Sequence, residues 1–140
     1  MILLDTNHLS VLQIPGSDRR LRLVARLAIA TDEVIGTTIV NVEEQMRGWL
    51  AAIAKERIPR RQVRPYRELA ELFDFFRPFH IAPFNDVAAD HFAGFSGIHI
   101  GAMDRKIAAL ALAHDALLLT ANRQDFEQVP GLRFVNWMDA

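Results

Sequence analysis

The sequence contains no cysteine, and this absence removes several classes of chemistry at once. Without cysteine there is no disulfide framework, no thiolate nucleophile and no Cys-ligated zinc or iron–sulfur site. A chain of 140 residues with 51% hydrophobic content buries roughly two-thirds of its unfolded surface without a cross-link or a structural metal. We therefore expect one domain, residues 1–140, in a reducing and hence cytoplasmic compartment.

Long apolar runs are also missing, because no run approaches the ~18 residues that a membrane span requires. The N-terminus lacks the layout of a secretory signal, so we expect a protein that starts at Met1 and does not associate with membranes. Lysine is scarce, with only Lys55 and Lys106 among sixteen basic residues, and the net charge is −1. The distribution of charge is uneven, however. Six basic residues face a single acid, Glu56, and predict a local basic surface: Lys55, Arg57, Arg60, Arg61, Arg64 and Arg67.

Several catalytic signatures are absent. There is no phosphate-binding loop of the Gly-x-x-x-x-Gly-Lys-Ser/Thr type, no dinucleotide-binding Gly-x-Gly-x-x-Gly and no Gly-x-Ser-x-Gly nucleophile elbow. The five histidines include no pair four residues apart, which disfavours the zinc site of His-Glu-x-x-His enzymes. Candidate chemistry therefore rests on side-chain oxygen atoms.

Short apolar segments alternate with amphipathic ones along the chain. Strands are predicted at Ile2–Leu4, Val34–Thr37, His80–Ile81, Leu117–Leu119 and Phe134–Val135, and helices at Arg19–Ala30, Val40–Ala54, Asp86–Phe95 and Met103–Ala113. Strands this short and apolar are typical of a sheet covered on both faces. The pattern predicts an α/β fold, a three-layer α/β/α sandwich with a mostly parallel central sheet.

Two prolines, Pro59 and Pro65, follow the helix that ends near Ala54. Because proline cannot continue the hydrogen-bond ladder of a helix, we expect them to separate that helix from the next. The two helices are predicted to form an antiparallel hairpin at about residues 40–77.

Polar residues cluster where the predicted strands end, and ligands of parallel sheets bind at the carboxyl ends of the strands. Each of these residues also has an ordinary structural interpretation. Asp5 and Asp104 fit helix caps, Glu44 fits a solvated helix face, and Asn122 with Asp125 fits a capping pair. Both interpretations stay open here, whereas Asp86 and Asp90 are assigned to capping and exposed surface.

Three or more carboxylates in one cleft repel one another unless a hard divalent cation binds, and oxygen ligands favour Mg²⁺ or Mn²⁺. A cation held in this way lowers the pKa of a bound water and stabilises charge on a phosphodiester. Phosphodiester hydrolysis is therefore the expected reaction, and the Arg-rich stretch from Lys55 to Arg67 is either a contact for the nucleic-acid backbone or a solvated hairpin tip.

Four segments of the chain together resemble a PIN-domain ribonuclease of the VapC toxin type. Met1–Asn7 resembles the opening strand and first acid of that family. Asn41–Gly48 resembles its Glu-x-x-x-Gly segment, in which the position of the glycine selects Glu44 over Glu43. Gly101–Asp104 and Thr120–Phe126 resemble the third and fourth blocks, in the same order.

The resemblance implies an Mg²⁺-dependent endoribonuclease, in which Mn²⁺ can substitute, with a metal-activated water as the nucleophile. It further implies the toxin of a type II toxin–antitoxin pair, a homodimer silenced by a VapB-like antitoxin. By position Asp5, Glu44 and Asp104 are its core acids, with Asp5 and Asp104 the most direct metal ligands. Many PIN domains have Asp where this chain has Asn122, which leaves Asp125 as a substitute. We therefore expect one firm metal site and a weaker second one.

Two other functions are considered. Asn122 is compatible with a catalytically weak module that mainly binds a basic antitoxin peptide. A receiver-like phosphoacceptor domain predicts adjacent acids after the first strand, whereas here Thr6 and Asn7 follow Asp5. The nuclease hypothesis predicts that Asp5→Asn or Asp104→Asn abolishes RNA cleavage and leaves the metal-free fold intact or more stable.

Overall fold

Five short strands form one sheet in the computed structural model, which describes residues 1–140. The strands are β1 (Ile2–Leu4), β2 (Ile35–Thr38), β3 (His80–Ala82), β4 (Leu117–Leu119) and β5 (Phe134–Val135). They lie in the order β3-β2-β1-β4-β5, and every neighbouring pair is parallel. The predicted α/β/α fold is confirmed, and the sheet is wholly parallel.

Seven helices connect and cover the strands. They are α1 (Thr6–Gln13), α2 (Asp18–Ile29), α3 (Ile39–Lys55), α4 (Pro59–Phe76), α5 (Asp86–Ala93), α6 (Ala102–Ala113) and the short α7 (Arg123–Phe126). None of them is both long enough and apolar enough to cross a lipid bilayer.

The apolar triplet of β1 divides between two cores, because successive side chains of a strand point to opposite faces. Leu3 packs in one core with residues of α5, α6 and α7, and Leu118 of β4 packs beside it. Ile2 and Leu4 pack in the other core with residues of α1, α2 and α4. Strand β1 is therefore buried on both sides, and the residue that follows it is held rigidly.

Gly36 in β2 allows the close approach of β3. A Cβ atom at this position would lie 2.2 Å from the backbone carbonyl oxygen of His80. Only glycine fits here without moving the neighbouring strand, so the spacing of β2 and β3 depends on this residue.

Helices α3 and α4 pack against each other, and α4 differs from the prediction. It begins at Pro59 and contains Pro65, which we expected to lie outside a helix. Proline at the first helical position loses no hydrogen bond, whereas Pro65 leaves the carbonyl of Arg61 without its intrahelical partner. Arg61 is exposed, so water can serve that carbonyl, while the ring of Pro65 is buried. Burial of the ring thus offsets the lost hydrogen bond.

Two further predictions need correction. Helix α5 ends at Ala93, so Phe95 lies beyond it and is buried in the following loop. Its N-cap is Asn85, whose side chain accepts a hydrogen bond from the Ala88 N–H at 2.9 Å, and not Asp86. Asp86 and Asp90 are exposed, as expected.

Candidate active site

The order of the strands locates the site. The chain runs from β1 outward to β2 and β3 on one side and returns to β4 and β5 on the other. Ligands of such sheets bind at this reversal, outside the carboxyl ends of the central strands. The side chains predicted to carry function come from four segments at this edge: Asp5 after β1, Glu44 in α3, Asp104 in α6, and Asn122 and Asp125 after β4.

Asp5 is almost fully buried, with 5% of its surface exposed, and three donors satisfy its carboxylate. Its Oδ1 accepts hydrogen bonds from the Thr6 backbone N–H at 2.8 Å and the Asn41 side-chain amide at 2.9 Å. Its Oδ2 accepts one from the Thr120 hydroxyl at 2.8 Å. Asp5 is also the N-cap of α1, so its two predicted roles coincide in one residue. Burial of a polar side chain costs free energy unless hydrogen-bond partners of this kind compensate for the lost water.

Asn41 connects Asp5 to Glu44. Its amide nitrogen donates to the Thr6 hydroxyl at 3.1 Å as well as to Asp5, and the Thr6 hydroxyl donates to Glu44 Oε2 at 3.1 Å. Asn41 is fully buried, and its carbonyl oxygen accepts a hydrogen bond from the Thr38 hydroxyl at 2.7 Å. Since the Asn41 amide donates to Asp5 and the Thr6 hydroxyl to Glu44, the network holds both acids at one edge of the sheet.

Asn122 joins the two remaining acids. Its side-chain amide donates to Asp104 Oδ2 at 3.3 Å and to Asp125 Oδ2 at 3.0 Å. Its backbone N–H donates to the hydroxyl of Thr120, the same hydroxyl that donates to Asp5. One hydrogen-bonded network therefore connects all five residues that the sequence singled out.

The capping interpretation is wrong for Asp104, and for Asn122 it is right in position only. Asp104 is the third residue of α6, whose N-cap is Gly101, and no side chain caps that helix. Asn122 occupies the N-cap position of α7, but its side-chain oxygen accepts no capping hydrogen bond, and its amide nitrogen donates to the two carboxylates. Neither side chain is needed to start a helix, so both are free to serve the site.

Electrostatic repulsion between the acids is visible at Glu44. Burial raises the pKa of Glu44 first, and the negative charges of Asp5, Asp104 and Glu43 raise it further, while the hydrogen bond from Thr6 lowers it. The charged form of Glu44 is thus disfavoured in the metal-free protein.

The same holds for Asp104. Burial is the largest cause that raises the pKa of Asp104, followed by the charges of Asp5 and Asp125, while the Asn122 hydrogen bond opposes the shift. The charge of Asp5 therefore contributes to the raised pKa of both Glu44 and Asp104, which belong to different segments. Perturbed acids that share a crevice are typical of functional sites.

No group of three or more acidic, histidine or cysteine side chains is arranged to enclose a metal ion as the side chains lie. Hydrogen-bond donors lie between the carboxylates and keep them apart. The Asn122 amide donates to both Asp104 and Asp125, and three donors bind the Asp5 carboxylate. The carboxylate and amide oxygens nevertheless fit a hard divalent cation in charge and in chemistry, because burial and then the neighbouring negative charges raise the pKa of Glu44 and of Asp104.

The two adjacent glutamates of α3 have different roles. Glu43 forms an ion pair with Arg47 at 2.6 Å on the same helix, while Glu44 contacts Thr6 at the site. Adjacent helical positions point about 100° apart, so only one of the two reaches the crevice.

Three polar residues of the network were missed as site residues: Thr6, Asn41 and Thr120. They lie at or just after the carboxyl ends of β1, β2 and β4, the same position that singled out Asp5. That position was the available signal, but the direction of a hydroxyl or an amide is set by tertiary packing and is not readable from spacing.

His8 beside the site predicts a pH dependence of stability. Burial, and then the charge of Arg19, lower the pKa of His8 to about 4. The Trp137 backbone N–H donates to His8 Nε2 at 3.2 Å, and a proton on that nitrogen would break this hydrogen bond. The unfolded chain binds that proton near pH 6.5 and the folded one only near pH 4. Stability therefore falls as the pH drops between these values, by up to about 3 kcal/mol.

Urea denaturation in EDTA between pH 4 and 7 measures this contribution. The variant His8→Gln is expected to lose this part of the pH slope, and His91→Gln, at an exposed position, is expected to keep it. Equal slopes for His8→Gln and the unmodified protein would show that His8 is not the group responsible.

Comparisons with known proteins agree with this architecture. The sequence profile described as PIN domain matches residues 2–132. Structures similar to this chain include VapBC-1 from nontypeable Haemophilus influenzae, with a TM-score of 0.73 and 20% identity over 99% of this chain and 100% of that one. FitAcB from Neisseria gonorrhoeae has a TM-score of 0.71 and 24% sequence identity, with 100% of both chains covered. A toxin–antitoxin complex from Klebsiella pneumoniae has a TM-score of 0.68 and 20% sequence identity, with 97% of both chains covered. No curated protein sequence matches this chain. The sequence identities to the three solved structures, 20% to 24%, show the fold alone.

Proposed function

The chain belongs to the PIN-domain family, and from that premise we propose that it is a metal-dependent endoribonuclease of the VapC toxin type. The observation that carries the proposal is the convergence of acids from four separate segments, where burial first and then the neighbouring negative charges raise the pKa of Glu44 and of Asp104. A divalent cation, Mg²⁺ or Mn²⁺, is the partner that such a set of oxygens favours.

Asp5 and Asp104 are the proposed direct ligands of the cation, and Glu44, Asn122 and Asp125 complete the site. When bound, the cation supplies activation of a water and stabilisation of charge on the phosphodiester. The role of the chain is to fix the carboxylates. Asn41, Thr6 and Thr120 orient Asp5 and Glu44, while Asn122 supplies a neutral amide where a further acid would add charge. We therefore propose one firm cation site and a weaker second one.

Partners follow from the same premise. One similar structure is described as a toxin–antitoxin complex and another as VapBC-1. We propose that a VapB-like antitoxin silences this chain, that the chain forms a homodimer, and that it acts on RNA in the cytoplasm.

The test is cleavage of a structured RNA by the purified, partner-free protein with Mg²⁺, with Mn²⁺ and with EDTA. We expect cleavage only with a divalent cation. The adjacent glutamates offer a matched pair, because Glu44→Gln removes a charge at the site and Glu43→Gln removes one beside it. Cleavage should fall by about a hundredfold for Glu44→Gln, equivalent to about 2.7 kcal/mol, and change little for Glu43→Gln. Cleavage in EDTA, or equal effects of the two substitutions, would contradict the proposal.

One observation favours a second candidate, a catalytically weak module that binds a basic antitoxin peptide. The Asn122 amide already satisfies Asp104 and Asp125, and no three acids are arranged to enclose a metal. This candidate predicts no cleavage with either cation, together with tight binding of a basic peptide that weakens as salt rises.

A further inference from the structure

The tip of the α3–α4 hairpin carries a surface that the site does not use. We define the basic hairpin tip by its six basic residues, all of them exposed: Lys55, Arg57, Arg60, Arg61, Arg64 and Arg67. The only acid within this stretch is Glu56, which is half-buried. A surface of this kind attracts anions even though the whole chain has a net charge of −1.

None of the six basic residues forms an ion pair, although acids are within reach along α4. Glu68 and Glu71 follow Arg64 and Arg67 by four residues, the spacing at which helical ion pairs form. Five other basic side chains elsewhere in the molecule are paired with acids. The charges of the tip are therefore not neutralised by ion pairs within the chain.

The geometry of α4 arranges four arginines as one surface. At 3.6 residues per turn, Arg67, Arg60, Arg64 and Arg61 fall within an arc of about 120°. The buried residues of α4, Pro65, Leu72 and Phe76, are centred about 100° around the axis from the middle of this arc. All four arginines are exposed, and guanidinium binds phosphate oxygens in pairs.

Exposed uncharged side chains also occur on this part of α4. Val63, 49% exposed, lies about 40° from Arg67 around the helix axis, and Tyr66, 54% exposed, lies about 100° from it. The choice of a nucleic acid over an acidic protein segment therefore rests on the paired phosphate contacts that guanidinium groups make and on the proposed ribonuclease function.

The tip also lies at a useful distance from the acids. Eleven residues of one helix separate Glu44 from Lys55, which is about 16 Å along the axis of α3. This exceeds the ~8 Å over which charges interact at physiological salt, so the acids do not cancel the tip. A strand that rises ~3.4 Å per nucleotide covers the separation in about five nucleotides.

We propose that the basic hairpin tip binds the phosphate backbone of the RNA substrate outside the acidic site. The proposal rests on the proposed ribonuclease function and adds to it a second contact that holds the strand while another part of it lies among the acids. Such a contact contributes to the KM for long RNA and not to kcat, because it touches no reacting atom.

The experiment compares two double variants that each remove two positive charges. Arg60→Gln with Arg67→Gln alters the tip, and Arg77→Gln with Arg133→Gln alters exposed arginines that are paired with Asp74 and Asp115. Binding of a fluorescent single-stranded RNA is measured in EDTA, where no cleavage occurs, over a range of salt concentrations. A poly-glutamate peptide of equal length serves as the second probe.

The tip variant is expected to bind RNA about 10- to 30-fold more weakly, with the slope of log Kd against log salt reduced by about 1.4. The control variant should bind as the unmodified protein does. In cleavage assays the tip variant should raise the KM for long RNA at unchanged kcat. These results together support the proposal.

Three results would overturn it. They are equal RNA binding by both variants, no RNA binding by the unmodified protein at low salt, and poly-glutamate binding that matches RNA in affinity and salt slope. The last would mark the tip as a docking surface for acidic protein segments. Because binding is measured without metal, a protein that binds RNA at the tip but never cleaves it refutes the proposed nuclease and leaves the tip assigned to RNA.

Discussion

Replacing Asp104 with asparagine is expected to lower cation-dependent RNA cleavage by at least about a thousandfold, equivalent to about 4 kcal/mol of transition-state stabilisation. The substitution keeps an oxygen that can accept the Asn122 hydrogen bond but removes one charge from the proposed cation site. Initial rates on one RNA substrate with Mg²⁺ and with Mn²⁺ measure the effect.

The same variant is expected to fold at least as well as the unmodified protein when metal is absent. Burial and the charges of Asp5 and Asp125 raise the pKa of Asp104, so its ionised form is disfavoured in the folded state. Metal-free stability should therefore rise as the pH falls through that pKa, and Asp104→Asn should remove this gain. Asp86→Asn, at an exposed position on α5, is the matched control and should change neither property. Normal cleavage by Asp104→Asn would remove this residue from the site.

Replacing Asn41 with alanine is expected to have the largest effect on stability, about 3 kcal/mol. The change leaves the buried Asp5 carboxylate without one of its three donors and the Thr38 hydroxyl without its acceptor. Because Asp5 is 5% exposed, water cannot readily replace the lost amide. Urea denaturation at neutral pH measures the change.

Asn85→Ala provides the control for the same chemical change. Asn85 caps α5 at the surface, and the loss of such a cap costs about 1 kcal/mol. If Asn41→Ala costs no more than Asn85→Ala, the buried network does not hold Asp5. Asn41→Asp is not expected to be as stable as the unmodified protein, because a second carboxylate would then face Asp5.

The structure also revises one expectation from the sequence. The sequence predicts that Asp5→Asn leaves the metal-free fold intact or more stable, but every partner of the Asp5 carboxylate is a donor. An asparagine amide would place its own donor against one of them, so we expect Asp5→Asn to destabilise the protein while Asp104→Asn does not.

Much of the fold was predictable because its signals are local. The apolar triplets Ile2–Leu4 and Leu117–Leu119 are too short and too uniform for a half-exposed sheet, and both are central strands. Pro65 was misjudged because its cost to the helix is local, whereas the compensation, burial of its ring, depends on tertiary packing.

The site was predictable as a set of positions but not as an arrangement. Asp5 and Asn122 could be placed at one edge of the sheet because they follow β1 and β4, which turned out to be neighbours. That the Asn122 amide bridges Asp104 and Asp125 depends on side-chain rotamers of three segments, and no spacing in the sequence encodes them.

The most direct measurement of the central claim is calorimetric titration of the metal-free protein with Mn²⁺ and Mg²⁺, without RNA. If the acids at the carboxyl edge of β1 and β4 form one cation site, one ion binds firmly per chain and binding is lost in Asp104→Asn. If no ion binds, or if Asp104→Asn binds it equally well, the acids are a hydrogen-bonded structural network and the proposed metal-dependent nuclease is wrong.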